Sequence, residues 1–318
     1  MLHGRTARHG IMRVISYSEN GMSRIGLVTG ADAFVPVADA APELPTSLRA
    51  LISMPDGVAR LRDAVAGKPG TRSLDDASFL PVIPDPHVIW ALALNFRKHI
   101  EETGLTTSRD FPHLFIRTPA SLVGHNQPLL CPPPDIAKEF DYEGELAVII
   151  GRGGRHIPIE RTLDHVAGFS CFNEGSVREY QRHNRNFGLG KNFERSGSVG
   201  PWLMTTDEFG DPKKQRVITR LNGIERQNAP LDDMLFSVEQ VIHYLSTGYT
   251  LQPGDMIAMG TPGALPPHPG EALEPAGRHK ILGQVNMKPG DYVEVEVTGL
   301  GVLANRIVGD ERTFYRPS

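Results

Sequence analysis

Two glutamates separated by a single glycine, Glu143 and Glu145, stand at the head of the apolar run Leu146-Ala147-Val148-Ile149-Ile150. Such a run predicts a buried strand, whose period of two puts both carboxylates on one face, about 7 Å apart along the backbone. Paired carboxylates at the mouth of a buried strand repel each other unless a proton or a cation neutralises them. A hard divalent ion with oxygen ligands (Mg2+, Mn2+ or Ca2+) would do so. The same pair at an exposed strand start would be two solvated glutamates, and Glu-x-Glu is common. Glu174 is a second acidic candidate. It follows the apolar stretch Val166 to Phe172, where a strand end would hand over to a site-building loop. The alternative is a carboxylate stabilised at a helix N-terminus. Upstream, His99 and Glu102 lie three apart in a short helical pattern, Phe96 to Thr103, and therefore on one face. A carboxylate bonded to one imidazole nitrogen fixes the tautomer and raises the basicity of the other, which suits activation of a water. An exposed charge pair on an amphipathic helix is the competing reading.

These residues need elements to hold them. Strand patterns recur at residues 12–18, 24–29, 34–37, 88–94, 114–119, 142–151, 165–173, 201–206, 216–223, 256–260, 291–299 and 301–309, and an Asn20–Gly21 turn joins the first two. The clearest helix is Ser237 to Gly248, with Val238, Val241, Ile242 and Leu245 at helical spacing and Ser237 as N-cap. Two shorter helical patterns cover 47–52 and 57–67, and residues 68–86, rich in Gly, Ser, Asp and Pro, read as a linker. Strands outnumber helices without βαβ alternation, which predicts an α+β, mainly β fold. The 33 glycines and 26 prolines among 318 residues fit many turns between short strands.

Composition narrows the class. Hydrophobic residues make up 40% and charged residues 22%, enough to bury a core. A net charge of −4 lends nucleic-acid binding no support. The longest apolar run, Val88 to Leu94, is far short of the about 20 residues that span a bilayer. Two cysteines, Cys131 and Cys171, build neither a disulfide framework nor a metal knot, and predict a reducing, cytoplasmic setting; Cys171 reads as core. Gly188-Leu189-Gly190-Lys191 lacks the earlier glycine and following Ser or Thr of a P-loop. Neither a helix-borne His-Glu zinc pattern nor a serine nucleophile elbow occurs.

The ordered segments NFRKHIEE, LFIRTPASLVG, YEGELAVIIG, GFSCFNEGSVREYQ, GLGKNFERSGSVGPW, LNGIERQ and MGTPG, between about residues 82 and 309, resemble the fumarylacetoacetate hydrolase family. The resemblance implies a mixed β-sheet roll or barrel as catalytic domain over 81–318, a small N-terminal domain over 12–80, and residues 1–11 as a disordered extension. It implies Glu143, Glu145 and Glu174 as ligands of Mg2+ or Mn2+, although the family more often has aspartate where Glu174 stands. It implies His99, Glu102 and Lys191 as catalytic: the His99/Glu102 dyad activates water and Lys191 stabilises an oxyanion. Arg117, Arg178, Gln181 and Thr261 become substrate-binding. Arg117 replaces the lysine of many members and would offer a bidentate fork to a substrate carboxylate. Spacing alone would leave Lys191, Arg178 and Gln181 as ordinary surface polarity.

The activity expected on this basis is metal-dependent hydrolysis of a C–C bond in an acylpyruvate- or fumarylpyruvate-type β-diketo acid, releasing pyruvate and a carboxylic acid, by a homodimer with no nucleic-acid or membrane partner. Relatives that isomerise, tautomerise, hydrate or decarboxylate 2-oxo acids leave those reactions open on the same site. A catalytically silent metal-binding relative is the alternative outside enzyme chemistry. Residues 264–290 are a candidate cap over the far end of the substrate.

Overall fold

An Asn-Gly pair starts the chain's first hairpin: Asn20 and Gly21 both take positive φ, 53° and 74°, and turn strand Arg13–Glu19 into Met22–Thr29. That geometry is the two-residue turn whose twist matches the flanking strands. The chain is known from a computed structural model that describes residues 12–102, 110–266 and 285–311. The expected extension 1–11, the side chain of Glu102 and most of the proposed cap lie outside the described residues.

The hairpin joins a 12-stranded mixed sheet. Its main path runs Arg72–Ser73, Ala33–Pro36, Met22–Thr29, Arg13–Glu19, Gly197–Thr205, Val166–Asn173, Gly144–Ile150, Met256–Ala258, Ile89–Ala93, His113–Arg117. A 5-stranded sheet runs Ile224–Pro230, Arg216–Leu221, Tyr292–Val297, Gly301–Gly309, Leu129–Cys131. The α+β, mainly β expectation of large mixed sheets is met, and both strand paths are open among the described residues. Residues 12–80 enter the large sheet directly, because Arg13–Glu19 pairs antiparallel with Gly197–Thr205. The stretch expected as a linker contributes the short strands Arg72–Ser73 and Ser78–Phe79, which pair with Ala33–Pro36 and Arg13–Glu19.

Strand Gly144–Ile150 lies in the middle of the large sheet and is buried along its whole length. Leu146, Val148 and Ile150 pack to one side, against Val217, Val295, Leu303 and the Val241, Ile242 and Leu245 face of helix Val238–Gly248. Ala147 and Ile149 pack to the other, with Phe172, Val199 and the N-terminal Val14, Ile25 and Leu51. Burial on both faces explains why the segment reads as an unbroken apolar run rather than an alternation. Helix Val238–Gly248 begins in a capping box formed by Ser237 and Gln240, which satisfies two otherwise orphaned backbone donors. No helix among the described residues is long and apolar enough to cross a membrane.

Where strand Val166–Asn173 ends, the chain passes so close to its neighbour that a Cβ on Gly175 would sit 1.7 Å from the Ser196 carbonyl oxygen. Gly175→Ala therefore forces backbone apart next to Glu174. The expected loss is about 1–3 kcal/mol or more in chemical unfolding; an unchanged midpoint would contradict this packing.

Candidate metal centre and its cleft

Glu143, Glu145 and Glu174 converge from two neighbouring strands, with one carboxylate oxygen of each within 4.8 Å of the others and all three side chains buried. Backbone pairing sets this up. Gly144 is paired with Asn173, the Glu174 N–H donates to the Glu143 carbonyl at 2.8 Å, and the Glu143 N–H donates to Asn173 Oδ1 at 3.1 Å. The strand proper begins at Gly144, so Glu143 stands just outside it, yet the period of two still aims both glutamates the same way.

Cations hold the cluster together. Lys191, buried in the turn Gly188–Lys191, donates to Glu143 Oε2 and, at 2.9 Å, to Glu174 Oε2. Arg178 reaches Glu143 Oε1 at 2.7 Å and Asp141 Oδ2 at 2.6 Å, and donates to Gln181 Oε1 at 2.8 Å. Arg117 approaches Glu174 Oε1 at 3.8 Å. Among the described residues Glu145 accepts the Gly260 N–H alone, at 2.7 Å, through Oε2. Glu145 Oε1 and Glu174 Oε1 are buried without a hydrogen bond among the described residues.

The three carboxyls respond differently. Burial pushes Glu143 up, but Lys191 and then Arg178 outweigh it and bring its pKa down to about 2. Burial, reinforced by Glu174 and Glu143, holds Glu145 well above the ordinary carboxylate range. Glu174 is also raised by burial, in spite of Lys191 and Arg117. An all-oxygen donor set with two orphaned buried oxygens and repelling carboxyls is what a hard dication satisfies, so these residues fit the expected Mg2+ or Mn2+.

A narrow cleft opens beside the cluster, lined by His99, Asp141, Tyr142, Glu143, Arg178 and Thr261, among others. His99, 7% exposed, comes from helix Arg97–Glu102, which also carries Glu102. Asn95 seats that helix: its Nδ2 donates to the Met259 carbonyl at 2.8 Å, and its Oδ1 accepts the Phe236 N–H at 2.9 Å. The structure thus brings together His99, Lys191, Arg178, Thr261 and the three glutamates. Gln181 stands behind Arg178 and is not part of the cleft wall.

Arg117 is placed otherwise than expected. It is 1% exposed, and its fork faces protein: Nε donates to Ser121 Oγ at 3.2 Å, NH1 to the Gly175 carbonyl at 3.1 Å and NH2 to Ser196 Oγ at 3.1 Å. Buried and bonded to protein through all three nitrogens, Arg117 stands beside Glu174 and is not among the residues lining the cleft. Sequence reasoning missed Asp141, which anchors Arg178. Its signal was available, because Asp141, Glu143 and Glu145 continue one period of two.

A family model, the C-terminal domain of fumarylacetoacetate (FAA) hydrolase, matches residues 88–308. An oxaloacetate tautomerase of Bacillus subtilis (strain 168) is 32% identical over 237 residues, 74% of this chain and 74% of that protein. A mitochondrial oxaloacetate tautomerase of Homo sapiens is 31% identical over 270 residues, 84% of this chain and 81% of the relative. Among solved structures, a fumarylacetoacetate hydrolase from psychrophilic Exiguobacterium antarcticum matches with a TM-score of 0.74 at 29% identity, covering 94% of this chain and 100% of that one.

Two outcomes follow from the site's electrostatics. Glu145 and Glu174, raised in the fold, bind more protons there than in the unfolded chain, so without added cation they remove stability as pH climbs above the usual carboxyl range. Mn2+ or Mg2+ needs the ionised forms and reverses that loss. The rise in melting temperature on adding Mn2+ is expected to grow from about pH 5.5 to about pH 8; thermal scans at fixed ionic strength measure it, and an increment that shrinks with pH would be inconsistent with these shifts. Separately, Arg117→Met leaves Glu174 without its rear counter-charge, at an expected cost of about 3–5 kcal/mol in chemical unfolding. A loss typical of an exposed ion pair would show that the buried contact contributes little.

Proposed function

The chain belongs to the fumarylacetoacetate hydrolase family, and we propose that it is a divalent-cation-dependent enzyme that interconverts the keto and enol forms of a small 2-oxo dicarboxylic acid. The observation that carries this is the convergence of three buried carboxylates and the His99 imidazole on one cleft. Glu143, Glu145 and Glu174 would hold the cation, which supplies Lewis-acid polarisation of the 2-oxo oxygen when bound. His99 takes a proton from C3; the C–H electron pair becomes the C2=C3 double bond, and the oxygen at C2 gains the charge and then a proton. The reverse sequence returns the keto form. Lys191 and Arg178 bring fixed positive charge to the place where negative charge develops, and Thr261 orients the carboxylate. The tautomerase names of the Bacillus subtilis and Homo sapiens relatives support the reading.

One feature favours a second reaction. His99 and Glu102 occupy the same helix, three residues apart, as a water-activating pair requires. With water giving its proton to that base and adding to the distal carbonyl, the C–C electron pair would leave as the enolate of pyruvate, which takes up a proton. The same cleft would thus hydrolyse an acylpyruvate, in line with the name of the Exiguobacterium relative.

The two are separated by following the enol absorbance of oxaloacetate with Mn2+, in parallel with product analysis on fumarylpyruvate. Chelator-sensitive acceleration of enol–keto exchange is expected, with His99→Ala losing at least about 100-fold while Mn2+ affinity is retained. Cleavage of fumarylpyruvate into two acids with no effect on oxaloacetate exchange would replace the first reading by the second, and inertness towards both would remove both.

A further inference from the structure

Gln227 lies in strand Ile224–Pro230, is 5% exposed and lines the cleft. Every hydrogen-bonding position of its amide is used. Oε1 accepts the Gly144 N–H at 2.9 Å and the Thr219 hydroxyl at 2.7 Å. Nε2 donates to the Pro262 carbonyl at 2.7 Å and to Thr261 Oγ1 at 2.8 Å. The orientation of the amide is settled by its backbone partners. A backbone N–H only donates and a backbone carbonyl only accepts, so Gly144 identifies the oxygen and Pro262 the nitrogen.

This arrangement has a consequence for Thr261. A hydroxyl carries one hydrogen and accepts through its lone pairs. Because Nε2 is a donor, Thr261 accepts on that side and its own hydrogen must point elsewhere. Among the described residues the Thr261 hydroxyl donates to the Pro262 carbonyl, but at 3.4 Å, a long bond beside the 2.7 Å bond that the same oxygen accepts from Gln227. An O–H···O bond prefers about 2.5–3.0 Å. Thr261 lines the cleft, so an acceptor bound there at that shorter distance would take the hydrogen in preference to the Pro262 carbonyl.

We infer that Gln227 is a positioning residue: it compels Thr261 to be a donor towards the substrate and, through Gly144, ties that donor to the backbone between Glu143 and Glu145. The group opposite Thr261 is thereby restricted to an acceptor such as a carboxylate oxygen. The inference rests on the cleft being the 2-oxo acid site proposed above. The glutamates keep their own supports without Gln227, since Gly144 remains paired with Asn173 and Glu174 remains bonded to the Glu143 carbonyl.

A double-mutant cycle on the full chain tests it, with oxalate as the two-oxygen anionic probe, Mn2+ at saturation and binding read by calorimetry. Thr261→Val is expected to weaken oxalate about 10-fold, and Gln227→Met by a similar factor with Mn2+ affinity held within about threefold; the double variant should also lose about 10-fold rather than about 100-fold, because both changes remove one and the same donor. A side chain with a merely structural role would give multiplied losses. Gln227→Glu, which keeps acceptors for Gly144 and Thr219 but cannot donate when ionised, should match Thr261→Val and stands in if the methionine variant does not fold. Multiplied losses, or oxalate binding unchanged in either Gln227 variant, overturn the inference. Mn2+-loaded wild-type protein that ignores oxalate overturns the reading of the site and the inference with it.

Discussion

Crowding three carboxylates into a buried space is the costly arrangement to which the rest of the molecule responds. Like charges at a few ångströms in low dielectric repel strongly, and burial adds the loss of hydration. Four acidic side chains (Asp141, Glu143, Glu145 and Glu174) face Lys191, Arg178 and Arg117 at the same site. The compensation is uneven. Glu143, touched by two of the cations, is held in its charged form, whereas Glu145, reached only by the Gly260 amide, resists ionisation. A dication entering beside Glu145 would complete the neutralisation that the protein's own cations leave unfinished, and this imbalance is what suits the cluster to hold a metal.

Such a cluster needs a stiff support. The central position of Gly144–Ile150, packed on both faces, provides it, and short bonds to neighbouring strands fasten the mouth: Asn173 to Glu143, Gln227 to Gly144, Gly260 to Glu145. The metal-binding face and the cleft wall share these fasteners. Gln227 touches both, and Asn95 links the start of the His99 helix to the Met259–Gly260 turn. Gly260 has φ +88° and a Cβ there would come within 2.9 Å of Asn95 Cβ, so this close approach depends on glycine. Rigid elements that hold reacting groups in advance of binding suit chemistry whose main demand is placement of charge.

Glu174 and Arg117, two positions at which the resemblance implied a departure from the family's usual residues, are joined in the structure. The longer carboxylate sits in front of a guanidinium whose three nitrogens also donate to Ser121, Gly175 and Ser196. A planar fork can bond in three directions while facing Glu174, which a single ammonium does with less geometric control. Arg117 therefore stands beside the acid at the back of the site, while Arg178, Thr261 and His99 line the cleft in front.

Much was legible from the chain alone. The alternation at Glu143 and Glu145, the apolar run after them and the strand ending before Glu174 follow from periodicity, because burial on a sheet imposes a period of two. The capped helix at Ser237 and the Asn20–Gly21 hairpin follow from local chemistry in the same way. A second Asn-Gly turn, Asn222–Gly223, carried the signal for strand Ile224–Pro230, which pattern reading passed over because Glu225, Gln227 and Asn228 interrupt its apolar face. Residues 68–86 read as a linker because strands of two residues contain no period to detect. Only tertiary structure could decide the direction of Arg117 or the role of Gln227. Apart from the near neighbours Ser121 and Thr219, their partners lie 34 to 83 residues away in sequence, and a side chain's chemistry depends on whether those partners or solvent meet its hydrogen-bonding groups.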